Sequence, residues 1–222
     1  MRSIGIIFLS FALAGAAVAS AYKDFSKVWE QRETTYRGER PGLEARAKSS
    51  ADAAVKALIL NDPNGPQDLG LALAAAWSLS ELVGRGQTLW ALREHMAGRP
   101  SVQLSEAWLQ GKIDELQRKE AEADMIAEQM QMLKARDDVS VQQWIAALEQ
   151  LSMMRGSISG AAAELTLIQQ NLESYYSARA GETIQKRALI GSVLSALAAT
   201  SQRKQLEFER RVALCATTGL CR

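Results

Sequence analysis

Apolar residues recur at alternating steps of three and four along the second half of the chain. The series keeps one phase over residues 141–179, and only Arg155, Gln169 and Arg179 interrupt its apolar character. Its members are Val141, Trp144, Leu148, Leu151, Arg155, Ile158, Ala162, Leu165, Gln169, Leu172, Tyr176 and Arg179. This heptad spacing is typical of a helix that packs along one stripe against partner helices. An unbroken helix of this length would measure about 58 Å. Ser140, with Gln143 three residues later, predicts a capping box at its start.

The first half of the chain predicts three more helices. Residues 22–37 and 43–60 have apolar positions at helical spacing, and a break over residues 38–42, which contains Pro41, separates them. Residues 61–66 read Asn-Asp-Pro-Asn-Gly-Pro and form the strongest loop signal in the chain. Residues 68–97 are apolar around most of the helix circumference, which predicts the buried central helix of a bundle.

A charged segment precedes the long apolar series. Residues 102–134 combine a narrow apolar stripe with flanking pairs such as Glu115 and Lys119 at i,i+4, which is typical of an exposed coiled-coil arm. The short connection before Ser140 predicts that this arm and the long helix form an antiparallel hairpin. Residues 156–160, Gly-Ser-Ile-Ser-Gly, could form a turn, but the series passes through them in phase and favours a continuous helix. Gly181 can end the long helix, and residues 182–214 predict the last one.

These patterns predict an all-α fold, an elongated helical bundle with a long antiparallel coiled-coil-like hairpin. We expect a single helical domain over residues 20–222, with N-terminal helices at 22–100, the hairpin at 101–180 and a C-terminal segment at 182–222. A basic start at Arg2, an uncharged apolar run and the sequence Ala17-Val18-Ala19 predict a signal peptide over residues 1–19. The alternative is an uncleaved membrane anchor over residues 4–21, which is at the lower length limit for a span.

The expected compartment is the bacterial envelope, either periplasmic or secreted. Cys215 and Cys221 are the only cysteines, and in an oxidising compartment they most simply pair with each other and close the C-terminal end. A redox pair and an intermolecular link are the alternatives. The chain carries 26 basic and 25 acidic residues without clustering, so it gives no electrostatic reason to bind nucleic acid.

The sequence contains few residues and motifs that are typical of catalytic sites. His95 is the only histidine, and neither a phosphate-binding glycine loop nor a serine-hydrolase elbow is present. Methionines on the predicted hairpin, Met125, Met153 and Met154, are weak candidates for a Cu(I) site, although methionine more commonly fills gaps in a helical core.

We therefore expect a non-enzymatic exported protein that acts as a helical scaffold or protein-interaction module and needs no cofactor. Its partner would be another protein or a second copy of itself, and the membrane would be involved only through an uncleaved signal segment. In general organisation it resembles components of secretion or conjugation machines and periplasmic chaperones, without a matching family motif. The alternatives are a small-ligand or Cu(I)-binding bundle and a phage-type lysis or envelope-spanning protein. The expected interaction face is Leu116, Met130, Trp144, Leu151 and Leu165.

Overall fold

In a computed structural model, the described part of the chain folds into five helices. They are α1 (Ser3–Ile59), α2 (Gly65–Met96), α3 (Glu106–Leu133), α4 (Val141–Tyr176) and α5 (Thr183–Thr218). The structure describes the backbone of residues 3–96, 106–133, 140–176 and 183–218, and the side chains of residues 26–96, 107–130, 140–170 and 190–212. None of these residues forms a strand. The predicted all-α bundle is confirmed.

The first helix continues through the predicted break. Pro41 lies inside α1, so the prediction of two helices separated at residues 38–42 is wrong. Proline removes the amide that would bond to the carbonyl of Arg37, at a cost of about 3 kcal/mol in a helix interior. Residues 37–42 are all exposed, so water can solvate that carbonyl. The ion pair of Arg40 with Glu44, at 2.7 Å, also spans the proline from one turn to the next.

The long helix predicted from the heptad series is confirmed over its described part. α4 is continuous through residues 156–160, and its first turn has the predicted cap. There the Gln143 amide donates to Ser140 Oγ at 3.2 Å, and the Ser140 amide donates to Gln143 Oε1 at 3.1 Å. The buried members of the series are Leu148, Leu151, Arg155, Ile158, Ala162, Leu165 and Gln169. The side chains of Leu172, Tyr176 and Arg179 lie outside the described residues.

α2 and α4 form the centre of the bundle, with more contacts between them than between any other two helices. α1 packs mainly on α2, α5 packs on α4 and α2, and α3 packs on α4 and α5. α3 and α4 are antiparallel neighbours, because Met130 shares one cluster with Leu148 while Ile113 shares another with Ile158. The apolar stripe of α3 is also covered by α5, so the hairpin is part of the bundle.

The central pair is held in direct backbone contact by small residues. A Cβ atom added to Gly84 would lie 3.0 Å from backbone carbons of Ser157, and one on Gly156 would lie 2.7 Å from the carbonyl oxygen of Trp77. One added to Gly160 would lie 2.8 Å from the carbonyl carbon of Glu81. These distances are shorter than normal carbon contacts, so no larger residue fits without moving the helices. The two glycines of residues 156–160, which could have formed a turn, therefore serve to pack α4 closely against α2.

The predicted signal segment forms the first turns of α1, and its side chains lie outside the described residues. The same holds for the predicted C-terminal disulfide, since the side chain of Cys215 and all of Cys221 are not described. The break predicted at Gly181 also lies outside the described residues. These expectations stay predictions.

Candidate functional site: a groove between the first two helices

A groove with a volume of about 330 Å³ runs between α1 and α2. We call it the α1–α2 groove. It is lined by Glu33, Tyr36, Arg37 and Arg40 from α1 and by Leu82, Val83, Gly86, Gln87 and Trp90 from α2. Its volume is at the lower end of the range for ligand sites, which typically measure about 300–1,000 Å³. Apolar, aromatic and charged side chains all reach it, so it offers more than one kind of contact.

The groove is open because of two residues on α2. Nothing lies within 4 Å of the position that a Cβ atom on Gly86 would occupy, so the wall is recessed there. Trp90, one helical turn later, is 64% exposed, whereas its neighbour Leu89 is 4% exposed and packs in the core. A large aromatic side chain is thus presented beside an empty space. This arrangement differs from a core position, where the indole would be covered by neighbouring helices.

A buried polar network lies beneath the α1 wall of the groove. Glu164 of α4 is completely buried, and its Oε2 accepts a hydrogen bond from the Tyr36 hydroxyl at 2.6 Å. The same oxygen accepts a hydrogen bond from Arg32 Nη2 at 2.8 Å. The network ties α1 to α4 across the bundle. Because its hydroxyl is used in this way, Tyr36 offers its ring to the groove.

Burial has shifted the acidity of this network. Burial raises the pKa of the Glu164 carboxyl, although the hydrogen bond from Tyr36 and the charge of Arg32 oppose that shift. Burial also raises the pKa of Tyr36, and its hydrogen bond to Glu164 acts in the same direction. Both shifts follow from placing ionisable groups in a region of low dielectric. The Tyr36 hydroxyl therefore stays protonated at neutral pH and remains a donor to Glu164.

Two arginines line the groove, and a third, Arg93, pairs with a carboxylate of its lining. Arg37 of α1 and Arg93 of α2 both pair with Glu33, and the Arg93 Nη1 to Glu33 Oε2 distance is 3.4 Å. Arg40 pairs with Glu44 on its own helix. Three arginines thus share two carboxylates, those of Glu33 and Glu44. All these pairs are on the surface, where an ion pair contributes about 0–1 kcal/mol, so the guanidinium groups can change partners at little cost.

A second polar cluster joins α3, α4 and α5. Arg155 is 4% exposed, its Nη2 lies 3.0 Å from Asp124 Oδ1, and its guanidinium carbon lies 5.9 Å from the ring centre of Phe208. Lys204 Nζ lies 2.6 Å from the other Asp124 oxygen. Burial alone would raise the pKa of Asp124, but the hydrogen bonds from Lys204 and Arg155 lower it. Arg155, which interrupts the apolar series, is thus buried and has a specific partner, Asp124, that remains partly exposed.

The five residues of the expected interaction face pack within the bundle. Leu116, Met130, Leu151 and Leu165 are buried in the clusters that hold α3, α4 and α5 together. Trp144 is partly buried and packs against one of these clusters. In this fold these side chains make contacts within the chain, and their role at an interface stays a prediction.

The candidate metal ligands are placed in different environments. Met125 and Met153 are exposed, whereas Met154 packs against the core cluster that contains Met130. His95 stacks on Trp108, with 5.3 Å between the ring centres, which is a structural role. Among the described side chains, no group of three or more His, Cys, Asp or Glu is placed to hold a metal ion.

Sequence reasoning missed the groove residues for identifiable reasons. Arg37 and Arg40 lay at the edge of a predicted break, and Trp90 belonged to a segment predicted to be buried on nearly all sides. One feature of the sequence could have indicated the groove. Gly86 has no side chain and lies one helical turn before Trp90, so it leaves a gap beside the indole on the helix surface. A missing side chain beside a large aromatic residue can mark a recess in a helix surface.

Within the part of the chain that the structure describes, no helix has a stretch that is both long and apolar enough to cross a membrane. Comparison of the chain with protein-family models, with curated proteins and with solved structures found no match.

Proposed function

We propose that this chain is a non-enzymatic helical scaffold of the bacterial envelope that binds a partner protein, and that the α1–α2 groove is the contact site. The observation that carries the proposal is the exposure of Trp90 beside the recess at Gly86. Tryptophan, tyrosine and arginine are the residue types most enriched among the few interface residues that supply most of the binding energy. The groove combines all three, since Tyr36, Arg37 and Arg40 face Trp90 from α1.

The rest of the bundle supports this assignment by giving the groove a firm base. Its α2 wall is packed backbone to backbone against α4, and its α1 wall is held to α4 through Glu164. A site on rigid helices loses little conformational entropy when it binds a partner. The envelope location and the non-enzymatic class rest on the signal segment and on the residue types of the sequence.

The test is site-specific photo-crosslinking in the native host. A benzoylphenylalanine residue replaces Trp90 in one variant and Leu71 in a matched control, because Leu71 is also on α2, is 56% exposed and does not line the groove. We expect a defined protein adduct from position 90 and none from position 71. The adduct should disappear when Gly86→Leu fills the recess in the same chain. No adduct at position 90, or the same adduct from both positions, would contradict the proposal.

A further inference from the structure

We propose that the occupant of the α1–α2 groove is an acidic peptide segment of the partner protein, with one apolar side chain between acidic residues. This inference rests on the function proposed above and adds the chemistry of the partner. Three properties of the groove lead to it, namely its charge, its length and the position of its apolar surface.

The charge of the mouth favours carboxylates. Glu33 is shared by Arg37 of the groove lining and by Arg93 of α2, which lies beside the groove and outside its lining, and Arg40 is the third guanidinium of the set. Arg37 and Arg40 have side chains that are 77% and 59% exposed, so both can turn toward a ligand. Guanidinium groups form paired hydrogen bonds with carboxylates, which adds geometric selectivity to the charge. Acidic side chains on both sides of a bound segment would satisfy this arrangement.

The length of the groove suits an extended peptide. Glu33 and Arg40 mark its ends on α1, seven residues apart, which corresponds to about 10 Å along a helix. An extended chain advances about 3.3 Å per residue, so about three residues fit between these ends. The groove is also recessed between two helices. This shape admits a side chain, whereas a flat bilayer surface would contact only the rims.

The apolar surface lies along the α2 wall of the groove, with the recess at Gly86 in its middle. Leu82 and Val83 line the α2 wall, the space over Gly86 is open, and the exposed indole of Trp90 borders it. An aliphatic or aromatic side chain placed in that space would lie between Leu82 and Val83 on one side and the indole on the other. The groove therefore matches an acidic, apolar, acidic sequence of three residues.

The test is a fluorescence-polarisation titration with three labelled probe peptides. Their central residues are Asp-Leu-Glu, the charge-reversed Lys-Leu-Lys and the anchorless Asp-Ser-Glu, all in the same Gly-Ser flanks. We expect the first to bind the full chain at least about tenfold more tightly than either of the others, which corresponds to about 1.4 kcal/mol. Its affinity should fall as salt is raised, because exposed charges are screened.

Two test variants, each with a matched control, make the result specific to the groove. The double variant Arg37→Glu, Arg40→Glu should reverse the preference, so that the Lys-Leu-Lys probe binds best, which a variant that merely misfolds would not do. Arg46→Glu, on the exposed surface of the same helix and outside the groove lining, should leave the preference unchanged. Gly86→Leu should abolish binding of all three probes, whereas Gly70→Leu should not, because its added side chain also meets open space.

The outcomes separate this inference from the proposed function. If position 90 crosslinks a partner but the acidic probe binds no better than the basic one, the partner chemistry is wrong and the scaffold function stands. If no crosslink forms and no probe binds, both fail. Binding to anionic phosphatidylglycerol vesicles in place of the probes would also overturn the inference, as would a groove crosslink that joins two copies of this chain.

Discussion

The contact between α2 and α4 makes a sharp prediction about the substitution Gly160→Ala. The added Cβ would lie 2.8 Å from the carbonyl carbon of Glu81 and 2.9 Å from its Cα, and closer still to the carbonyl oxygen. Ordinary contacts begin at 3.4 Å, so the two helices must separate by about 0.6 Å for the carbons and by more for the oxygen. Because the opposing atoms are backbone, no side-chain rotation can relieve the clash.

The expected magnitude follows from two opposing effects. Overpacking a well-packed interior costs about 1–3 kcal/mol, and a backbone clash belongs at the upper end. Replacing glycine by alanine inside a helix gains about 0.5–1 kcal/mol in return. We therefore expect Gly160→Ala to lower the free energy of unfolding by about 2 kcal/mol. In a domain of this size that corresponds to a decrease in melting temperature of about 4–8 °C.

Gly86→Ala is the matched control on the partner helix. Nothing lies within 4 Å of its new Cβ, so only the helix-propensity gain remains and stability should rise by about 0.5–1 kcal/mol. Both variants and the parent chain are compared by urea denaturation followed by far-ultraviolet circular dichroism. The two variants should differ by about 3 kcal/mol. Equal stability of the two would refute the close backbone contact between α2 and α4.

Three other predictions concern charged residues. Glu164→Gln removes a buried carboxyl whose pKa is raised, so the parent chain should lose stability relative to the variant as pH rises from about 4.3 through the raised pKa. Urea denaturation across that range checks this, and a pH-independent difference would count against it. Hydrogen bonds from two lysines lower the pKa of Glu115 to about 2. Glu115→Gln should therefore cost under about 1 kcal/mol at neutral pH, and the difference should vanish as pH falls toward that value. A carboxyl titration midpoint near the ordinary value of about 4.3 in an NMR experiment would argue against it. Arg155→Met restores the apolar series while Asp124 keeps Lys204 as its partner, so stability should stay within about 1 kcal/mol of the parent or increase. A loss of about 3–5 kcal/mol in the same denaturation assay would mean that the buried guanidinium is required.

The regular parts of the fold could be predicted because they depend on local patterns. The heptad series identified α4, and Ser140 with Gln143 identified its first turn, since both signals act within one or two helical turns. The antiparallel arrangement of α3 and α4 followed from a short connection. The apolar stripe also predicted correctly that residues 156–160 remain helical, although a Gly-Ser sequence would by itself suggest a turn.

The site was not predictable by the same means, because it depends on how α1 lies along α2. Pro41 was expected to end a helix, and its solvent exposure, which permits the helix to continue, is a tertiary property. Trp90 was assigned to the interior, since composition alone does not show which face of α2 remains uncovered. The role of Gly160 depends on Glu81, which is distant in sequence and becomes its neighbour only in the folded bundle.

The two walls of the α1–α2 groove differ in how firmly they are anchored. α2 is fixed along its length by glycines that bring its backbone against α4, so this side cannot yield without unpacking the centre of the molecule. α1 is attached to α4 by the side chains of Arg32 and Tyr36, which converge on a single carboxylate oxygen of Glu164, and by the apolar cluster that contains Trp29 and Ile168. A ligand that needs a wider opening would therefore displace α1, and its affinity would include the work of stretching those two hydrogen bonds and of loosening the packing of α1 on α2.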